Sequence, residues 1–251
     1  MSEWKTAIAK SDPNETLIRG YELKDLIGNL RFSEIAYLVL KGELPTKEQG
    51  EVLDAIFVAC VDHGLGPPSV TAARNVFSGG NPLNAAVAAG ILAIGDSHGG
   101  AIEQAAKIFQ ENNGKNPADL VKEFSAVKKR FPGYGHKVYT TDPRAVELVK
   151  VADKNKVSGK CVAFAQSLEK EIEKGLGKKL CLNVDGAIAA IISDMGFDWK
   201  LGKGLFIIPR SVGLVAHVHE EWLREQPFRR EENTTYDGPA KRELPVSFKR
   251  K

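Results

Sequence analysis

Thr46-Lys47-Glu48-Gln49-Gly50-Glu51-Val52-Leu53-Asp54-Ala55-Ile56-Phe57-Val58-Ala59-Cys60-Val61-Asp62-His63-Gly64 is the stretch on which the fold class turns. Thr46 followed three residues later by Gln49 is a capping box. The hydroxyl accepts an otherwise unpaired backbone N–H of the first helical turn, and the Gln side chain reaches back to the cap. Leu53, Ile56, Phe57 and Cys60 then recur at helical spacing on one face. The helix runs toward Asp62-His63, a titratable pair next to a glycine.

The same punctuation repeats in both directions. Ser33 is expected to cap a helix through Leu40 that Gly42 stops. Further helices are expected at about 69–77, 82–95, 99–111, 117–130, 142–154, 160–174, 184–195 and 204–224. Gly66-Pro67-Pro68, Gly79-Gly80-Asn81-Pro82, Asn112-Asn113-Gly114 and Phe131-Pro132-Gly133 separate them as turns. Alternating, strand-like runs are scarce, so the fold is read as mainly α. Repeats and low-complexity tracts are absent. After Arg224 the pattern turns polar and irregular, ending in Lys249-Arg250-Lys251.

The 251 residues can bury a substantial core as one domain or as a large and a small one. With 43% hydrophobic and 27% charged residues the mixture is that of an ordinary soluble protein. A formal charge of +3 is too small to point to nucleic acid, though a basic mouth for an anionic substrate fits it. Cys60, Cys161 and Cys181 are odd in number and form no close pair, so neither disulfides nor structural zinc are expected, and a reducing cytoplasm is. The start, Met1-Ser2-Glu3-Trp4-Lys5, lacks an apolar signal core, and Gly95, Asp96 and Asp194 interrupt the longest apolar runs short of a membrane span.

Three histidine segments stand out: Asp62-His63-Gly64, Ser97-His98-Gly99-Gly100 and Gly133-Tyr134-Gly135-His136-Lys137. Each sets a titratable group beside small residues that permit close approach of a backbone or a substrate. Asn183-Val184-Asp185-Gly186 and Ile208-Pro209-Arg210-Ser211 follow. In this order the segments resemble the citrate synthase superfamily. Ile18-Arg19-Gly20-Tyr21-Glu22-Leu23-Lys24-Asp25-Leu26, Leu40-Lys41-Gly42-Glu43-Leu44-Pro45-Thr46 and Asp142-Pro143-Arg144 extend the likeness over nearly the whole chain. One departure is informative. Only Thr46 to Val61 separates the Gly-Glu-Leu-Pro landmark from Asp62-His63, room for a single helix where full-length citrate synthases have a long helical segment. With Trp4-Lys5-Thr6-Ala7-Ile8 at the start, the shortened pattern looks more like citryl-CoA lyase and the citryl-CoA-cleaving module of ATP-citrate lyase.

The resemblance implies a citrate synthase-like fold: a large helical domain, residues 1–100 and 191–251, with a smaller inserted CoA-binding domain, 101–190, and a site at the hinge between them. It implies cleavage of citryl-CoA to acetyl-CoA and oxaloacetate, next to the tricarboxylic acid cycle, with the CoA thioester as substrate and no separate cofactor. His136 would take or share the citryl hydroxyl proton, His98 would hold the thioester oxygen, and Asp185 would protonate the enolate carbon. Arg144 and Arg210 fit the substrate carboxylates through their forked donors, His63 adds a contact to the oxaloacetate portion, and Arg230 or Arg229, shortly before Tyr236-Asp237-Gly238, matches an arginine of the carboxy-terminal arm. CoA would lie along Phe131, Gly133, Tyr134, Gly135 and Lys137, with backbone groups exposed at the two glycines and with Lys128, Lys129 and Arg130 near its phosphates. The implied assembly is a homodimer or higher homo-oligomer whose arm, from about Gln226, completes a neighbouring site. A citryl-CoA synthetase is a possible partner, because no phosphate-binding Gly-x-x-x-x-Gly-Lys-Ser/Thr loop is present.

Other readings compete. A compact citrate synthase would also hydrolyse citryl-CoA, and a non-catalytic subunit would need another chain. Asp185 also fits an N-cap of the apolar helix after it, His217 and His219 fit packing or a helix-end contact, and Lys128-Lys129-Arg130 fits a solvated helix end. A three-histidine metal site is disfavoured, since neither i,i+4 histidine spacing nor a cysteine or carboxylate cluster accompanies it. Nucleic-acid and membrane partners are not expected.

Overall fold

The computed structural model describes residues 3–230 and 233–248. The basic end, Lys249-Arg250-Lys251, lies outside them. The chain opens with a small antiparallel meander of β1 (Ala9–Ser11), β2 (Thr16–Ile18) and β3 (Tyr21–Glu22), which the sequence reading did not anticipate. Arg19 ties this meander to the body: its Nε and Nη2 both donate to the Val39 carbonyl, at 3.0 and 2.7 Å.

Eleven helices follow among the described residues. They are α1 (Leu23–Leu26), α2 (Phe32–Lys41), α3 (Lys47–Cys60), α4 (Pro68–Ser78), α5 (Leu83–Leu92), α6 (Gly100–Asn112), α7 (Pro117–Ala126), α8 (Pro143–Lys154), α9 (Lys160–Leu176), α10 (Val184–Asp194) and α11 (Gly202–Arg224). The fold is mainly α, as the periodicity required. The expected capping box is present at α3, where Gln49 N–H donates to the Thr46 hydroxyl at 3.2 Å and Thr46 N–H to the Gln49 side chain at 2.9 Å. Ser33 is not a cap. The α2 helix starts two residues earlier than that cap implies, with Arg31 as its N-cap; Glu34 reaches back to the Arg31 N–H at 2.7 Å, and the Ser33 hydroxyl is buried without a partner among the described residues.

The α10 helix is the axis of the core. Gly186 to Ile192 are all buried, as a helix apolar on every side must be, and α6, α8 and α9 pack around it. One large apolar cluster joins these helices to α2, α3 and α7. A second, smaller cluster of Val70, Ala73, Ala86, Leu214 and Val218 binds α4, α5 and α11. With the 3₁₀ turn before it, α11 is the one helix among the described residues long and apolar enough to cross a membrane, at mean hydropathy 1.2. It is nevertheless a packed helix of this fold, burying Leu205, Phe206, Pro209, Arg210, Gly213, Leu214, Val218 and Glu221.

Candidate active site

A cleft of about 460 Å³ lies where α3, α4, α10, α11 and the loops before α6 and α8 meet. It is lined by His63, His98, His136, Arg144, Asp185 and Arg210, drawn from five sequence-distant segments. All six were read from the sequence. Two larger concavities, beside Lys47 and Lys154 and beside Phe77 and Trp222, contain no histidine.

His98 sits in the loop before α6, its ring edge-on to Phe206 with centroids 5.6 Å apart. Gly99 allows this approach: it has φ +79°, and a Cβ there would stand 2.6 Å from the Phe206 ring. His98 Nε2 is 2.8 Å from the Ser69 hydroxyl, in the buried first turn of α4. Burial, then the positive Arg210, lowers the pKa of His98, so the ring is held neutral. Ser69 carried no sequence signal, since it follows Pro67-Pro68 like any first-turn serine.

His136 is oriented by its own loop. The backbone N–H groups of Val138 and Tyr139 both donate to Nδ1 at 3.1 Å, and the Tyr139 ring lies 4.6 Å away. With Nδ1 accepting, the proton of the neutral ring is on Nε2. The expectation that His136 takes or shares the hydroxyl proton does not fit this tautomer, in which Nε2 instead donates a hydrogen bond to the oxygen. Arg144 Nη2 stands 3.4 Å from Nε2, so two donors face one small region of the cleft.

Arg144 is set by Asp142, the fully buried N-cap of α8. The Asp142 carboxylate accepts Arg144 Nε at 3.0 Å, Nη2 at 2.9 Å and the backbone N–H of Val184 at 3.0 Å. Burial alone pushes that carboxyl up, but these donors outweigh it and hold it below the usual carboxylate range. Asp142 thus locks α8 to the start of α10 and occupies one edge of the Arg144 fork, leaving Nη1 and the outer edge for a ligand. The sequence reading gave Asp142 no role of its own, although an Asp before Pro143 is a cap signal.

Asp185 is in the first turn of α10. It is not the cap: Asn183 holds that position, its side chain accepting Gly186 N–H at 3.1 Å. Burial pushes the Asp185 carboxyl above its ordinary value, and Arg144 and Arg210 offset this only in part. No described residue hydrogen-bonds the carboxylate. Arg210 is buried in α11, next to Pro209, whose ring interrupts the helical hydrogen bonding. Its Nε donates to the Cys60 carbonyl at 2.9 Å and its guanidinium lies 4.8 Å from the Phe206 ring centroid. Nη1 is buried with no partner among the described residues. An unpaired buried guanidinium donor calls for an anion.

The segment assigned to CoA is built differently from the expectation. Phe131 stacks on Phe124 inside the core, and the Tyr134 hydroxyl donates to the Ala165 carbonyl at 2.8 Å, so neither side chain faces a ligand. Gly133 and Gly135 do not expose their backbone. The Gly133 carbonyl accepts Asn183 N–H at 2.9 Å, Gly135 N–H donates to Cys181 at 2.7 Å, and the Gly135 carbonyl accepts the Asn183 side chain at 2.9 Å. Gly133, at φ +83°, is demanded by Gly186 of α10, whose Cα would lie 2.6 Å from an added Cβ. Lys128, Lys129, Arg130 and Lys137 are exposed.

The carboxy-terminal segment is docked on its own chain further than expected. Phe228 N–H donates to the Ser78 carbonyl at 2.8 Å, and Arg229 pairs with the buried Glu221, which also holds Arg74. Arg229 is therefore committed within the chain, whereas Arg230 is exposed over Phe228 and makes no ion pair with the described residues. No three His, Cys, Asp or Glu side chains gather as a metal site among the described residues.

Residues 47–231 match the family described as citrate synthase, C-terminal domain. The chain is 31% identical over 234 residues to ATP-citrate synthase beta chain protein 2 of Arabidopsis thaliana, covering 84% of this chain and 36% of that protein. It thus spans little more than a third of the length of the curated relatives it matches first. Among solved structures, citryl-CoA lyase from Hydrogenobacter thermophilus superposes with a TM-score of 0.93 at 50% identity, covering 97% of this chain and 98% of that one. Citrate synthase from Thermoplasma acidophilum, solved with carboxymethyl coenzyme A and oxaloacetate, gives 0.69 at 30% identity, covering 86% and 59%. With its ordered histidine, aspartate and arginine segments gathered in one cleft and most of its length matched, the chain belongs to the citrate synthase family.

Proposed function

We propose that this chain is a citryl-CoA lyase, a carbon–carbon lyase that cleaves citryl-CoA to acetyl-CoA and oxaloacetate. The observation that carries the proposal is Asp185: a half-buried carboxyl whose desolvation raises its pKa, lining one cleft with two arginines, His136 and a His98 held toward its neutral form. That is an acid placed to protonate carbon, facing groups that recognise carboxylates and hold developing oxyanions.

In the reading we favour, Arg210 Nη1 and the outer edge of Arg144 bind substrate carboxylates, with His63 and, from a neighbouring subunit, Arg230 adding contacts. The tertiary hydroxyl lies between His136 Nε2–H and Arg144; its proton passes to solvent water, and the two donors stabilise the oxygen as it becomes the ketone. The bond to the methylene carbon breaks, and its electron pair passes into the thioester as an enolate. With Ser69 donating to Nε2, His98 carries its proton on Nδ1 and offers it to the thioester oxygen. One such donor is typically worth about 3–4 kcal/mol to an oxyanionic transition state. Asp185 then protonates the enolate carbon. One proton leaves the hydroxyl for solvent, one enters the methylene from Asp185, and solvent reprotonates Asp185, so turnover is proton-neutral. CoA approaches past the exposed Lys128, Lys129, Arg130 and Lys137, whose charge suits its phosphates.

The same proposal includes a large domain of 1–100 and 191–251 and a small domain of 101–190 that closes on it, excluding water from the enolate. It includes a homodimer, supported by an uncovered apolar face: α5 is apolar except at Asn84 yet buries only Ala86 and Gly90, and its Leu92 together with Val212, Trp222 and Leu223 of the neighbouring α11 is exposed. A cytoplasmic setting is supported by three free buried thiols, and a separate citryl-CoA synthetase by the missing ATP loop. Compact citrate synthase is the alternative. Incubation with citryl-CoA, and separately with acetyl-CoA plus oxaloacetate, distinguishes them. A lyase yields acetyl-CoA and oxaloacetate from citryl-CoA without net free thiol, whereas rapid thiol release from acetyl-CoA plus oxaloacetate identifies a synthase.

A further inference from the structure

From the cleft outward, α11 grips the end of α3 at three points on one face. Arg210 donates through Nε to the Cys60 carbonyl. Gly213 lies so close to Val61 that an added Cβ would collide with its carbonyl oxygen. His217 Nε2 meets Asp62 Oδ1 at 3.0 Å. Positions 210, 213 and 217 share a helix face, so the three contacts act along a single line on residues 60–62.

The loop that leaves this grip carries His63. It has little support of its own: His63 is exposed, Gly64 is at φ +72°, and neither Gly64 nor Gly66 has a neighbour within 4 Å of an added Cβ. Asp62 is the part of the loop that is fixed. Its Oδ2 accepts the Gly64 N–H at 2.8 Å, closing the turn around His63, while Oδ1 is held by His217. The His217 side chain is 14% exposed and lies outside the cleft lining. An ionised carboxylate only accepts, so the proton of this contact is on His217 Nε2.

We propose that His217 and Asp62 form a positioning pair that sets the loop of His63 and, through it, the affinity of the cleft for the carboxylate half of its substrate. The proposal rests on the reading that His63 faces the oxaloacetate portion. His217 acts on the substrate only through Asp62 and His63, while the same helix supplies Arg210 directly. Substrate arginine and substrate histidine are therefore registered by one rigid element.

The test uses the full chain, with oxaloacetate and CoA binding by titration calorimetry and citryl-CoA turnover measured separately. His217→Leu is expected to weaken oxaloacetate binding and raise KM for citryl-CoA by about tenfold, the usual value of one lost charged hydrogen bond. Its kcat and CoA affinity should stay within about threefold. His217→Gln, which keeps a donor on the same side, should recover most of the loss, and Asp62→Asn combined with His217→Leu should cost no more than the larger single effect. Unchanged oxaloacetate affinity in His217→Leu overturns the proposal. So does equal loss of oxaloacetate affinity, CoA affinity and melting temperature in both the Leu and Gln variants. A wild-type chain that binds oxaloacetate but does not cleave citryl-CoA removes the lyase reading alone, because the pair is still read from oxaloacetate affinity. A wild-type chain that does not bind oxaloacetate removes both.

Discussion

Arg210→Met isolates what a buried guanidinium does in this cleft. Methionine keeps the contact with the Phe206 ring and removes the charge. The unliganded protein loses the hydrogen bond to the Cys60 carbonyl and a cation–π contact, together about 2–4 kcal/mol. It also sheds a buried, partly unpaired charge whose desolvation costs several kcal/mol. The two sides nearly offset, so the unliganded melting temperature should move by no more than about 8 °C at 2–4 °C per kcal/mol. Ligand response behaves differently. Oxaloacetate at 100 times its dissociation constant stabilises the wild type by about 2.7 kcal/mol, or about 5–10 °C. Removing one partner of a desolvated charge pair costs about 2–5 kcal/mol of binding, which leaves at most about 0.9 kcal/mol of that stabilisation. Differential scanning fluorimetry with and without oxaloacetate reads both quantities. A variant that keeps about two thirds or more of the wild-type oxaloacetate shift would show that Arg210 is a structural cation and that the unpartnered Nη1 marks no anion site.

Asp185→Asn should keep the fold and CoA affinity by calorimetry while lowering kcat about 10²- to 10⁴-fold, the usual cost of losing a general acid or base. Ser69→Ala leaves a His98 nitrogen without its partner, and kcat for citryl-CoA should drop about tenfold with KM little changed. Truncation after Arg230 preserves the Arg229–Glu221 and Phe228–Ser78 contacts, so circular dichroism should still report a folded helical protein. Activity should fall about 30-fold or more if residues beyond the docked segment complete a neighbouring site, and mixing with an inactive His136→Ala chain should then restore part of it.

The longer helices were legible through apolar periodicity, turn residues between them and, at α3, α7, α8 and α10, a capping side chain, signals that depend on residues two to four apart. The terminal meander was not: its strands are two or three residues long and none of their residues is buried, so no alternation is written into them. Ser33 drew the cap assignment from its type, although Glu34 already pointed to a start at Phe32. The six cleft-lining side chains were legible through the ordered family segments. Their supports were less so. Asp142 lies two residues from the arginine it holds, and a closer reading of Asp142-Pro143 would have found it. Ser69 and His98 are 29 positions apart, and Asp62 and His217 are 155 apart, so only the fold joins them. Gly133 and Gly135 were read correctly as sites of close approach, but what approaches is the chain's own segment 181–186. A glycine states that space is needed without naming the occupant.

Two opposite shifts in the cleft follow from one cause. An isolated Asp and His between their ordinary values of 3.8 and 6.5 would be an ion pair. Burial disfavours both charges, raising Asp185 and lowering His98, so the low-dielectric cleft biases the pair toward carboxylic acid and neutral imidazole. Those are the forms cleavage needs: a proton on Asp185 for the enolate carbon, and a His98 able to accept from Ser69 while donating to the thioester oxygen. Condensation needs the same neutral His98 but an ionised Asp185. As pH rises through the raised pKa of Asp185, kcat for cleavage should therefore fall and kcat for condensation should rise. As pH drops toward the lowered pKa of His98, both should fall together. Parallel stopped-flow pH profiles with citryl-CoA and with acetyl-CoA plus oxaloacetate test this, and Asp185→Glu should move the upper limb in both directions of reaction. Profiles that rise together with pH on the upper limb would mean that Asp185 does not carry the carbon proton.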